Sequence, residues 1–507
     1  MTFSAAKDTI NTSSVIGDFA MRDENIENKI SDVLDLYTKK LYTSDFQDES
    51  ALNFIEAVGN MHKTYSHCVS AADHLKELRE TTSYWGRNAA GFLIDIGSLD
   101  YLKYALKEGS EEERKNIRDM VLKEGLHYRE PLLVKMAALA GATLPPQGEA
   151  LLKRMDNGEH AKVEKMYNSD KYTFFPSTLE HSEGKFTPSE LKALQQIESY
   201  IAADINELCL DKGKSGGQIK FLNKHDKIFA LVEDYRKSPN QFLATAIDQN
   251  DALAFEIALK RGATGDGKLP EYSHYDNSFQ IAVAQNKLEM AEKLWNPNLK
   301  IDTPIQRYQK EYSNMVAYML METPSLSKEA LDYLISKGNR EDLTGATIRH
   351  KNNDTQSEMP ILHALAGLSY ADYEDQSELI DHILKKNYPI NKKDANGNTA
   401  AVYAAHAMNL NALKTLVQHG ADLDMPMHFG DGKKVRIIDW LYEKDGNPKN
   451  YTYRSYHPDE TYSLLPERTK KMAKDKEMRD QKLKEIYEIH KANKLKNCVN
   501  AKNKSYD

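Results

Sequence analysis

The sequence predicts a mainly helical, all-α chain: a solenoid of stacked helical hairpins with a helical cap region at the N terminus and a further helical region inserted in the array. Two observations predict it. A glycine or asparagine recurs where an apolar helical pattern stops, at Gly109, Gly141, Gly262, Asn298, Gly338, Asn387 and Gly420. Those are the residues that most readily take the left-handed conformation after a helix C-cap. Finally, 507 residues are too many for one ordinary core, so an extended array or several domains is expected.

The clearest unit runs from Asp394 to Asp422. Gly397 supplies a turn conformation that a side chain would resist. Thr399 stands where a hydroxyl can cap the first helix. Ala404 and Ala405 keep that helix thin, and Leu413, Leu416 and Val417 give the second helix its buried face. Gly420 ends it.

This unit resembles an ankyrin repeat in its Asp-x-x-Gly-x-Thr turn, its paired alanines and its Leu-Val-x-x-Gly-Ala-Asp ending. Elsewhere the match is degenerate. Leu362-His363 repeats the family's Leu-His pair, and Gly97 holds the place of a turn glycine. The intervals between the markers are 32, 121, 36, 40, 49 and 33 residues. Four lie near or moderately above the roughly 33-residue ankyrin period, and a long acidic loop, 369–376, accounts for the 49.

The segments outside this pattern set the expected organisation. Residues 50–82 read as one long helix, with Leu52, Ile55, Val58, Met61, Tyr65, Cys68, Ala72 and Leu75 as its apolar stripe. It is expected to cover the first repeat within a cap region spanning 1–85, whose polar residues 1–30 read as disordered. Ankyrin-like repeats are expected at 86–142, and a non-ankyrin helical insert or eroded repeats at 143–240. There Thr187-Pro188-Ser189-Glu190 opens a helix running to about Leu210. The main array is expected at 241–430, then a tyrosine-rich linker and a basic helix from about Pro466 to Lys496 within 431–507.

Composition narrows the function classes. A net charge of −8 argues against a phosphate-backbone partner for the chain as a whole. Cys68, Cys209 and Cys498 are too few and too scattered for a disulfide framework or a four-cysteine zinc site, and they suit a reducing compartment. No apolar run of transmembrane or signal-peptide length occurs, so a cytoplasmic protein is expected.

Chemical motifs are weak. Gly213-Lys214-Ser215 has Leu208 where a phosphate-binding loop needs glycine. His62, His67 and His74 do not fall squarely on one helix face, and Cys68 and Cys209 lie on or beside apolar stripes, as structural cysteines do. No cofactor and no metal is expected. The alternative is an enzyme whose active site lies in the N-terminal or 143–240 region, with the repeats selecting its substrate. His127, His160, His181 and His225 are the histidines in reach of that region.

The resemblance implies a protein-binding scaffold whose partner lies along a concave face of hairpin tips and first helices. Carried onto the best unit, it points to Asn396 and Asn398 at the tip and to Tyr403 and His406 on the helix. His363 then reads as a structural histidine. A third reading sets the basic C-terminal helix against acidic lipid or nucleic acid. The abundance of Lys, Asn, Asp and Tyr, with 28 Tyr against 14 Phe, fits an AT-rich genome. Eroded arrays with unmatched flanks are similar to those of effectors that intracellular bacteria secrete into a host cell, which would imply a host protein as the partner.

Overall fold

A computed structural model describes residues 26–80, 99–179, 184–210, 219–270, 274–299, 301–307, 310–323, 325–338, 342–350, 358–368, 376–428, 434–449 and 466–503. Gly97, His181, the Gly213-Lys214-Ser215 segment and the loop from 369 to 375 lie outside them. Helices dominate, and no described helix is long and apolar enough to cross a membrane. The chain forms two compact units, Met1–Gly262 and Ala263–Asp507.

In the first unit, α1 (Ile26–Thr43) already begins inside the stretch expected to be disordered, because Ile26, Ile30, Val33, Leu34, Tyr37 and Leu41 give it a buried face. Helix α2 (Glu49–Glu80) is the predicted long helix, with Leu52, Ile55, Val58, Met61, Tyr65, Cys68 and Leu75 buried. Near its end the buried alanine is Ala71, and the predicted Ala72 is half-exposed. Helix α2 is the central helix of the unit, packed by α1, by α8 (Pro188–Leu210) and by α9 (Lys220–Lys237), with α3 (Leu99–Lys107) and α4 (Glu111–His127) also against it.

Two helices of the 143–240 region, α8 and α9, thus supply core partners for α2. Tyr37 of α1 stacks on Phe54 of α2 with ring centroids 4.1 Å apart. Tyr65 of α2 donates to Asp204 of α8 at 3.0 Å. Helices α5 (Pro131–Leu139), α6 (Pro146–Leu152) and α7 (Asn157–Asn168) build on α3 and α4. The pair α10 (Pro239–Asp248) and α11 (Ala252–Lys260) packs onto α9.

The second unit alternates hairpins with helix pairs. An isolated bridge, Lys268 to Asn277, precedes α12 (Ser278–Ala284) and α13 (Leu288–Leu294). Strands β1 (Ile305–Arg307) and β2 (Lys310–Tyr312) precede α14 (Met315–Glu322) and α15 (Lys328–Lys337). The short α16 (Asp342–Gly345) and strands β3 (Thr347–His350) and β4 (Met359–Pro360) precede α17 (Ile361–Ala366) and α18 (Ser377–Lys385). A turn at Asp394–Asn398 precedes α19 (Ala400–His406) and α20 (Leu410–Gln418). Strands β5 (Pro426–His428) and β6 (Lys434–Arg436) precede α21 (Ile437–Leu441), and α22 (Pro466–Asn503) completes the unit.

Strands β1 to β4 join in order as one antiparallel sheet, with Ile305 opposite Tyr312 and Tyr312 opposite Ile348. First helices pack in succession: α14 on α17, α17 on α19, α19 on α21. Second helices do the same, α18 on α20 and α20 on α22. Small residues permit this, since Ala404 and Ala405 are fully buried, as are Leu413, Leu416 and Val417 on the second helix.

The helix ends are more regular than the glycine pattern suggests. Gly109, Gly141, Gly262, Gly420 and Asn387 have positive φ, as expected. Gly338 does not: it is extended at φ −104°, so glycine there answers no conformational demand. Asn298 lies inside a 3-10 turn, because α13 stops at an extended Trp295 instead of a left-handed residue. A second left-handed position sits between the helices of four pairs, at Arg129, Asn250, Asn286 and Met408. In each, the next N–H returns to the carbonyl five residues back: Glu130 to Gly125, Asp251 to Ala246, Lys287 to Ala282 and Asn409 to Ala404, at 2.8–2.9 Å. That is a Schellman closure, which stops the first helix and starts the second at once.

Candidate protein-binding face

The face is assembled around the Asp394–Asn398 turn. Asp394 Oδ1 accepts the N–H groups of Asn396 at 2.9 Å and Asn398 at 2.8 Å. Its own N–H donates to the Asn398 carbonyl at 2.9 Å, and Gly397 sits at φ +82°. An aspartate that closes its own turn, followed by a glycine in left-handed space, makes a stiff tip.

Two further side chains lock that tip to the helices. Tyr403 donates its hydroxyl to Asp394 Oδ2 at 2.6 Å. Burial, with the Asp394 carboxylate second, pushes its ionisation well above the ordinary tyrosine value. His363 on α17 reaches across to the next unit, and its Nε2 donates to the Asn398 carbonyl at 3.1 Å. The His363 and Tyr403 rings meet edge-on with centroids 5.5 Å apart. Burial holds His363 below the usual histidine value, as a neutral internal donor requires.

The four residues singled out by sequence thus divide. Asn396 and His406 are exposed. Asn398 is only 7% exposed and belongs to the turn's internal bonding. Tyr403 is half-buried, and the hydroxyl expected to meet a partner is already given to Asp394. Thr399 occupies the N-cap without capping: its hydroxyl accepts nothing from the helix. The Val402 N–H that it could have taken goes to the Thr399 carbonyl at 3.0 Å.

A second tether, built on Tyr318, lies earlier in the unit. Tyr318, fourth in α14 as Tyr403 is fourth in α19, donates to the His274 carbonyl at 3.2 Å. Arg307 donates to the Tyr318 hydroxyl at 3.0 Å and pairs with Asp276 at 3.1 Å. Each tyrosine thus ties a hairpin to a first helix. The signal was present in the sequence as a tyrosine four residues after Asn314 and after Thr399.

The residues considered for chemistry have separate partners. Cys68 donates to the Phe174 carbonyl at 3.1 Å, beside Tyr101, whose hydroxyl donates to the same oxygen. Burial raises the thiols of Cys68 and Cys209 to about 11 and about 12, which keeps both protonated and poorly nucleophilic. His62 faces Asp226 and the Phe229 ring, His67 is exposed, and His74 bonds the Ser70 carbonyl. His127 is exposed against Tyr128, His160 bonds the Leu152 carbonyl, and His225 bridges the Phe221 carbonyl and Asp35.

The basic helix α22 has a docked side, with Leu483, Ile486 and His490 buried and Tyr442 donating to the Leu483 carbonyl at 2.9 Å. Among known proteins, no family model matches the chain and no curated protein is significantly similar to it.

Proposed function

We propose that the chain is a degenerate ankyrin-type scaffold that holds a protein partner against hairpin tips and first helices of its second unit. One observation carries the reading: the Asp394 turn is closed by its own carboxylate and bound to two successive first helices through Tyr403 and His363. A tip held in this way loses little freedom when it binds, so exposed groups on it act as a preorganised surface. The Arg307–Tyr318–His274 tether gives the hairpin segment ahead of α14 the same property. The alternation of hairpin, first helix and second helix supports the ankyrin comparison independently of sequence identity.

Asn396 and His406 are the residues through which the surface is tested, because both are exposed. Affinity capture from eukaryotic lysate with the wild-type chain and with an Asn396→Ala, His406→Ala chain is the experiment. A specific protein held by the first and lost by the second supports the reading, provided both chains show the same helical signal and unfolding midpoint. Equal capture refutes this face as the binding surface. Tyr403→Ala is the wrong probe, since it removes the donor that ties the turn.

A further inference from the structure

The chain leaves α20 through Gly420 and Ala421, and from there side chains alternate. Ala421 and Leu423 are buried, while Asp422 and Asp424 share the opposite side. Asp422 Oδ1 accepts the Asp424 N–H at 2.9 Å, which fixes the two acids as a pair. Helix α22 packs onto α20, and its stripe of Leu483, Ile486 and His490 is buried. His490 is 5% exposed, yet its Nε2 has no hydrogen-bond partner. That nitrogen faces Asp424, 3.8 Å from Oδ2. Ligand atoms of Asp422, Asp424 and His490 all lie within 4.8 Å of one another.

We infer that Asp422, Asp424 and His490 form a binding site for a divalent transition-metal ion of the zinc class. Two carboxylates and an imidazole are a donor set that suits such an ion, with water completing its coordination. Ligands about 2.1 Å from a tetrahedral ion stand roughly 3.4 Å apart. The 3.8 Å separation of His490 and Asp424 therefore needs to close by only a few tenths of an ångström. An orphaned buried nitrogen aimed at a carboxylate, too far for a hydrogen bond, is what such a site presents before the ion draws it together.

The present counter-charges also fit. Lys494, one helical turn beyond His490, places its ammonium on Asp424 Oδ2, and Arg436 holds Oδ1 at 3.2 Å. Lys494 is 59% exposed on a flexible stem, so it can swing into water and yield its place to the ion. A bound ion would pin α22 to the end of α20 at the array's last full helix pair.

The test is calorimetric titration of the full chain with Zn2+, in parallel with Co2+ followed by visible absorption. One ion per chain is expected, with a Co2+ spectrum of nitrogen and oxygen ligands. His490→Gln should weaken binding by at least the roughly 10–100-fold that losing an outer-shell partner costs. Lys494→Gln should tighten it, on the order of tenfold, by removing the competing cation. Asp422→Asn, at a partly exposed position, should weaken binding with the unfolding midpoint retained, which separates loss of a ligand from loss of fold. Equal affinity in wild type and His490→Gln, no stoichiometric binding by the wild type, or an intense thiolate-to-cobalt band would each overturn the site.

Discussion

Glu190 gathers three helices of the first unit, and its replacement has a calculable cost. Its Oε1 accepts from Tyr37 of α1 at 2.8 Å and from Ser50 of α2 at 2.6 Å. Its Oε2 accepts from the Thr187 N–H at 2.9 Å and the Thr187 hydroxyl at 2.8 Å, closing the cap of α8. Tyr37 is fully buried, so in Glu190→Ala its hydroxyl is left without a partner at about 1–3 kcal/mol. Loss of the cap adds about 1 kcal/mol. The exposed Ser50 adds roughly 0.5–1 kcal/mol, since water replaces its acceptor. Together these come to about 2.5–5 kcal/mol.

Glu190→Gln should cost far less, about 1 kcal/mol, because the amide oxygen still serves Tyr37 and Ser50 and only the Thr187 side is spoiled. Urea unfolding followed by circular dichroism gives the totals, and hydrogen exchange of peptides from α1, α2 and the start of α8 locates them. An alanine variant within about 1 kcal/mol of wild type would refute the reasoning. So would a glutamine variant as damaged as the alanine one.

Acid should act through the same carboxyl. Burial alone would raise it, but hydrogen bonds from Ser50, Thr187 and Tyr37 outweigh that and hold it below the usual glutamate value. Its stabilisation is thus complete above the unfolded value of about 4.3 and disappears as pH falls through the folded one. Glu190→Gln should flatten that part of the acid-unfolding curve.

Three further outcomes are expected. Leu416→Ala, at a fully buried position, should cost about 3–5 kcal/mol, and hydrogen exchange should rise first in α18, α19 and α20; a uniform rise across the second unit would contradict stacked-pair packing. Gly125→Ala should destabilise by about 1–3 kcal/mol or more in urea unfolding, because a Cβ there would stand 2.9 Å from both Leu133 and Val134 side chains and 3.0 Å from the Val134 nitrogen. Cys68 and Cys209 should react with a thiol reagent only after denaturant is added; rapid native labelling of either would contradict their burial and raised pKa values.

Local order in this chain is written in local residues. The stripe of α2, the Thr187–Glu190 start of α8, the tight Gly397 turn and the left-handed helix ends at Gly109, Gly141, Gly262, Asn387 and Gly420 all follow from neighbours within a few positions. Such features depend on backbone sterics and helical period, which a sequence carries directly. The predominance of helix followed from the same signals.

What the sequence by itself did not decide was partnership between distant segments. Helix α8 was legible as a helix, but that it lies along α2, with Glu190 meeting Tyr37 across 153 positions, is set by long-range packing. The asparagine tip and Tyr403 were legible as surface candidates. Only folding brought Asp394 under the tyrosine hydroxyl and the His363 ring against Asn398, turning two expected contact residues into internal ties. The Asp422–Asp424–His490 group unites two aspartates with a histidine 66 or more positions away and carries no spacing motif. A helix period tells a side chain which way to face, but what it faces is decided by the packing of all the others.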